Sequence, residues 1–262
     1  MHDVTSHILH SNEHTLAGLT LTFKRYRPLP ASGTKCPNAT RVALVFVHCI
    51  GTHKETWAPV IEYLYQFQSS ASCSVIIAEA WSMDLPNHGE AAAINQKILL
   101  ERPQGIFKRR QDIWESREIA CAWFAKRLPW KRWNTHILDA FIQYGLRDLP
   151  TAAYPDRANG VTLSCTRGQE AAGYIYHQDS VDANKRLKDL CLKIPVHCIF
   201  GDEMDLITDE TRRGIYQGRR MESITGIDGA GHLVTQETPF KLAQAVWTAL
   251  NHDYANQGKY KL

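Results

Sequence analysis

Apolar and polar residues alternate across positions 19–26 (LTLTFKRY), the period of a half-buried antiparallel strand, and a Pro-, Gly- and Ser-bearing loop at 27–40 follows it. Positions 42–47 (VALVFV) and 73–80 (CSVIIAEA) are continuously apolar. That pattern predicts strands covered by helices on both faces. Between them, 56–66 (TWAPVIEYLYQ) carries apolar residues at helical spacing, so the unit reads β-α-β. Positions 90–97 (EAAAINQK) suit a short helix, and Ile98-Leu99-Leu100 a short strand parallel to 42–47. The block 107–149, rich in Trp, Arg and helix formers, reads as a helical insertion. Strands at 195–201 (PVHCIFG) and 222–227 (ESITGI) precede an amphipathic closing helix over 239–250, introduced by Gln236-Glu237-Thr238. The sum is one α/β domain over 1–262, with a mostly parallel sheet and a cap insertion at about 106–190.

Composition changes this picture little. With 262 residues, 44% of them hydrophobic, the chain can bury one sizeable core. A net charge of +3 without a long basic tract implies neither a nucleic-acid nor a membrane partner. The seven cysteines, Cys36, Cys49, Cys73, Cys121, Cys165, Cys191 and Cys198, are odd in number and contain no C-x-x-C pair, so they read as reduced thiols. The N-terminus has no signal-peptide pattern and no apolar run is long enough to span a bilayer, which points to a soluble protein that is not secreted. His2, His7, His10 and His14 lack the paired spacing of a ligand set and read as a mobile N-terminal arm; no metal and no cofactor are expected.

Three segments can carry chemistry. The loop Ile227-Asp228-Gly229-Ala230-Gly231-His232-Leu233 lies between a strand and the last helix and presents an imidazole able to take and return a proton; a turn histidine without a role fits the local sequence equally well. The strand 42–47 ends in His48-Cys49-Ile50-Gly51, a loop whose backbone N–H groups can face an oxyanion. Residues 84–89 form D-x-x-x-H-G.

In this order, H-x-x-G, D-x-x-x-H-G and a terminal G-x-G-H resemble the α/β-hydrolase superfamily. The runs 111–118 (QDIWESRE), 145–150 (GLRDLP) and Tyr154-Pro155-Asp156 are similar to the cap of fungal α/β-hydrolases from secondary-metabolite gene clusters, a family that includes acyl-CoA hydrolases of the mycophenolic-acid pathway and hydrolase-like proteins of toxin clusters. The likeness extends over 19–250. It implies His232 as the proton-relay histidine, and its acid partner after the strand that follows the nucleophile, which matches Glu101. Asp205, in Gly201-Asp202-Glu203-Met204-Asp205, is the rival acid, with Asp202 behind it. The implied substrate is a small acyl ester or acyl thioester. Lys108-Arg109-Arg110 and Trp130-Lys131-Arg132-Trp133 either grip an anion such as the phosphates of coenzyme A or are solvated helix faces. The terminal Tyr260-Lys261-Leu262 resembles a peroxisomal S-K-L address with Tyr in place of the small residue, so the expected location is the peroxisome and otherwise the cytoplasm.

One part is missing. Hydrolases of this class hold a serine in a strand-turn-helix G-x-S-x-G. The chain contains no such motif, neither Ser82 nor Ser164 has the flanking glycines, and only nine steps separate Gly89 from Ile98, where a helix, the elbow strand and the elbow helix would stand. A sheet one strand and one helix short is therefore expected. A truncated product, a pseudoenzyme and an enzyme that no longer uses a covalent intermediate all fit. Cys49, in place of the usual glycine after His48, is a thiol that can serve as a nucleophile or simply as a buried residue.

Overall fold

The computed structural model describes residues 2–11, 18–29, 39–70, 74–102, 111–175 and 177–255. His14, Cys36, Cys73, Lys108-Arg109-Arg110 and Tyr260-Lys261-Leu262 lie outside them. In chain order the elements are β1 (His2–His10), β2 (Thr20–Pro28), β3 (Thr40–Val47), α1 (Ala58–Ser70), β4 (Val75–Asp84), α2 (Gly89–Ile94) and α3 (Gln96–Leu100). There follow β5 (Ile113–Trp114), α4 (Arg117–Phe124), α5 (Thr135–Tyr144), β6 (Leu146–Asp148), β7 (Val161–Leu163), α6 (Arg167–Ile175) and α7 (Gln178–Leu190). The chain closes with β8 (His197–Gly201), α8 (Asp209–Tyr216), β9 (Ser223–Ile227), α9 (Val234–Glu237) and α10 (Pro239–Ala255). The α/β class expected from the hydrophobic pattern is what the chain adopts.

Two compact units emerge, one of residues 1–27, 43–58 and 79–176, the other of 28–42, 59–78 and 177–262. A four-stranded sheet has the order β1-β2-β4-β3, with β2 antiparallel to β4. A three-stranded antiparallel sheet, β5-β7-β6, sits in the first unit. In the second, β8 and β9 pair in parallel, His197 opposite Ser223 and Gly201 opposite Ile227.

Several helices start where the sequence offers a cap: the side chains of Ser116, Asn134 and Thr208 accept the N–H groups of Ile119, His136 and Thr211 at the starts of α4, α5 and α8. Helix α1 buries Val60, Ile61, Leu64 and Tyr65, one stripe at helical spacing. Strand β2 is half-buried as expected, but its buried positions are Thr20, Thr22 and Tyr26. The threonines go inward because polar partners await their hydroxyls: Thr20 Oγ1 meets His10 Nδ1 at 3.2 Å, and Thr22 Oγ1 donates to Asp84 Oδ2 at 2.8 Å.

Three expectations are corrected. Ile98-Leu99-Leu100 is no strand but the end of helix α3, since three apolar residues without a partner strand gain more from closing a helical turn. His2, His7 and His10 belong to β1, not to a mobile arm; β1 is held by backbone pairing to β2 and buries almost nothing, so no hydrophobic period announced it. Strand β3 is covered on one face only. Phe46 is buried, whereas Val45 and Val47 are 66% and 51% exposed.

Candidate functional site

The loop after β3 is fastened by buried charges. Lys54 is fully buried, and its ammonium lies 2.7 Å from Asp84, 3.0 Å from Glu90 and 3.2 Å from Glu55. Burial alone would lower the Lys54 pKa, but the charges of Asp84 and Glu55 raise it above its ordinary value. Burial pushes the Glu55 carboxyl up, yet the hydrogen bond and charge of His53, with Lys54, outweigh it and hold Glu55 at about 2. Asp84 explains D-x-x-x-H-G. Its carboxylate accepts from the backbone of Lys54 (2.8 Å) and of Glu90 (3.1 Å), from Thr22 and from the Lys54 ammonium. Gly89 has φ +53°, and a Cβ there would lie 2.5 Å from the Asp84 oxygens, so only glycine closes this turn. Asp84 is thus an anchor rather than a reacting group.

His48 and His88 are consumed in the same way. The Leu85 N–H donates to His48 Nε2 at 3.0 Å while His48 Nδ1 meets the Cys49 carbonyl at 2.7 Å. The Gly51 N–H donates to His88 Nε2 at 2.9 Å, and His88 Nδ1 meets Asn87 Oδ1 at 2.8 Å. Burial lowers both pKa values, that of His88 to about 3 with the neighbouring His48 and His53 adding to it, so both rings are neutral. Of the four expected oxyanion-loop residues, Gly51 has its N–H occupied by His88, and the next N–H, of Thr52, donates to the Cys49 carbonyl at 3.4 Å. Cys49 is exposed, against the buried thiol considered from sequence, and Ile50 contacts Gly173 on α6. Gly51 and Thr52 face a small recess whose other walls include Gly89, Ser164, Cys165 and Glu170. Glu170, 7% exposed and one of those walls, was not singled out from the sequence, because it is a helix residue in no motif.

The second unit holds the terminal glycine loop. The backbone N–H of His232 donates to both Asp205 oxygens, at 3.0 and 2.9 Å, and that of Gly231 donates to Glu237 at 3.0 Å. A Cβ at position 231 would lie 2.1 Å from Asp205, so the glycine of G-x-G-H makes room for the acid that fixes the loop. His232 itself is exposed. Structure therefore brings Asp205 to His232, while Asp202 meets Gly226 on β9. Glu101 caps the C-terminus of α3 and belongs to the first unit. With the strand at 98–100 gone, the ground for choosing Glu101 as the acid is gone too, and the rival Asp205 is the carboxylate held at the His232 backbone N–H.

No family model and no curated protein matches the sequence. Solved structures do. The peroxisomal α/β-hydrolase Lpx1 of Saccharomyces cerevisiae superposes with a TM-score of 0.75 at 14% identity, over 97% of this chain and 89% of that one. The thioesterase domain from the curacin biosynthetic pathway gives 0.56 at 12% identity, over 93% and 99%. The Mycobacterium tuberculosis esterase Rv0045c gives 0.53 at 13% identity, over 94% and 92%. The fold is that of the α/β-hydrolases. Among the described residues β3 ends its four-stranded sheet. No helix among the described residues is long and apolar enough to cross a membrane.

Proposed function

We propose that this α/β-hydrolase-fold protein binds a small acyl ester or acyl thioester of fungal secondary metabolism and does not cleave it through a serine acyl-enzyme. The observation that carries the reading is the run from β4 through α2 and α3 with no strand and no G-x-S-x-G between them. The spent N–H of Gly51 supports it further, since an oxyanion hole needs donors left free for the substrate. The cap likeness to fungal cluster hydrolases and the fold shared with a biosynthetic thioesterase support the acyl substrate class. The name of the yeast neighbour supports a peroxisomal setting, which microscopy of an N-terminal fluorescent fusion against a peroxisomal marker tests.

The experiment combines three measurements on the purified chain: release of p-nitrophenol from its acetate and butyrate esters, labelling by a fluorophosphonate probe, and intrinsic tryptophan fluorescence during titration with butyryl-CoA. The reading expects turnover equal to buffer, no labelling and a saturable fluorescence change. A burst of p-nitrophenol or stoichiometric labelling overturns it. One observation favours a second reading, acid–base catalysis without a nucleophile: Asp205 fixes the loop of an exposed His232. Turnover without probe labelling that is lost in His232→Ala would select it.

A further inference from the structure

At the opposite end of the β8–β9 pair from the His232 loop, a second cluster gathers from three elements. His197 opens β8, Glu222 immediately precedes β9, and His252 and Asp253 lie in the last turn of α10. One ligand atom from each of Glu222, His252 and Asp253 lies within 4.8 Å of the other two. His252 Nδ1 is 3.4 Å from Asp253 Oδ1 and 3.9 Å from Glu222 Oε1. Asp253 turns its other oxygen, Oδ2, to His197 Nε2 at 3.0 Å, and His197 Nδ1 meets Ser223 Oγ at 2.7 Å.

We infer that Glu222, His252 and Asp253 bind a first-row divalent metal ion, zinc above all, with His197 and Ser223 positioning the Asp253 carboxylate. Metal–nitrogen and metal–oxygen bonds of about 2.0–2.2 Å in a tetrahedron set neighbouring ligand atoms roughly 3.3–3.6 Å apart. The His252–Asp253 separation already has that value, and the Glu222 separation exceeds it by a few tenths of an ångström. The His252–Asp253 contact is also a long hydrogen bond and the Glu222 separation exceeds one, so the two carboxylates flank the imidazole at about the spacing of ligands. One imidazole and two carboxylates leave a fourth position for water, the donor set that suits zinc better than calcium or magnesium, which prefer oxygen alone. The Ser223–His197–Asp253 chain is the outer shell such sites use to aim a ligating carboxylate. The backbone supports the aim: the Glu222 N–H donates to the Val196 carbonyl at 2.8 Å, fixing where its side chain leaves the sheet.

The sequence hid this site because its ligands sit 30 residues apart on a strand end and a helix end. The test uses the full chain stripped of metal, titrated with zinc by calorimetry and with cobalt by visible absorption. Wild type is expected to bind one more equivalent than Glu222→Gln or His252→Ala, and its tetrahedral cobalt band is expected to vanish in both. His197→Gln is expected to keep the stoichiometry and weaken zinc by about 10- to 100-fold, an effect of aim rather than of ligation. His252 is half-exposed, so its replacement leaves the core intact, and circular dichroism of each variant verifies that. Zinc stoichiometry and cobalt spectrum unchanged in both ligand variants would overturn the assignment.

Discussion

His88 and His48 tie the chemistry of single side chains to stability. Each is buried neutral, with its pKa below the ordinary value, that of His88 at about 3. In the unfolded chain both titrate near 6.5. As pH falls below that value the unfolded state takes up protons that the folded state refuses, so stability present above about 6.5 is lost, for His88 down toward 3, at up to roughly 1.4 kcal/mol per pH unit for each histidine while it stays neutral in the fold. Glu55 acts in the same direction lower down: held at about 2, it contributes stability above its ordinary range that is lost as pH falls through 2. Gln in place of His88 can still accept the Gly51 N–H through Oε1 and cannot be protonated. Urea midpoints between pH 7 and 5 should therefore fall less steeply in His88→Gln than in wild type; equal slopes would contradict the neutral assignment. Lys54 allows a sharper comparison. Lys54→Met leaves the buried Asp84 and Glu55 without their cation and is expected to cost about 3–5 kcal/mol. Glu90→Gln removes a carboxylate that is half in water and should cost about 1 kcal/mol or less. Equal denaturation midpoints for the two would show that the ammonium does not anchor the loop.

Strand β3 carries an apolar run whose outer face lies open. Its run VALVFV is written for burial on both faces, yet Ala43, Val45 and Val47 face outward and β3 ends its sheet among the described residues. Exposed apolar side chains on an unpaired edge invite strand pairing with other chains. Lysine at Val45 should raise the concentration at which the protein stays monodisperse in light scattering, and should change stability by no more than about 0.5 kcal/mol because the position is already in water. A loss of several kcal/mol would mean that Val45 is packed. The same strand marks the limit of what could be read from sequence. Strands β2, β3, β4, β8 and β9 and helices α1 and α10 follow from local apolar patterns, continuous or periodic, that each carries within its own residues. β1 has no such pattern, and Ile98-Leu99-Leu100 has the composition of a strand without a neighbour to pair with. Of the site, His232 was legible from its glycines and Asp205 only as a rival. Lys54, Glu170 and the group around His252 were not, since their meaning lies in contacts made across elements.

Across the molecule, the two units differ in how their sheets are held. In the first, β4 alternates buried positions at Ala80, Ser82 and Asp84 and pairs with β2 from Thr22↔Asp84 to Tyr26↔Ala80, and the ion cluster at Lys54 locks its end. Among the described residues, the second holds the two-stranded β8–β9 sheet together with the first residues of β3 and β4, and a sheet of two strands is marginal without helices to cover it. Four of the five β8 residues are half-buried, and in β9 only Ile227 is buried. Parallel pairing is also slightly weaker per residue than antiparallel. Local openings of β8 and β9 should therefore cost less than those of β2 and β4, and hydrogen exchange followed by mass spectrometry should deuterate peptides covering 197–201 and 223–227 before those covering 22–26 and 80–84. Lys54→Met should narrow that difference from one side, by speeding exchange at 80–84 while leaving 223–227 unchanged. Equal protection in wild type, or acceleration of both sets in the variant, would mean that the chain opens as one cooperative body despite its divided sheets.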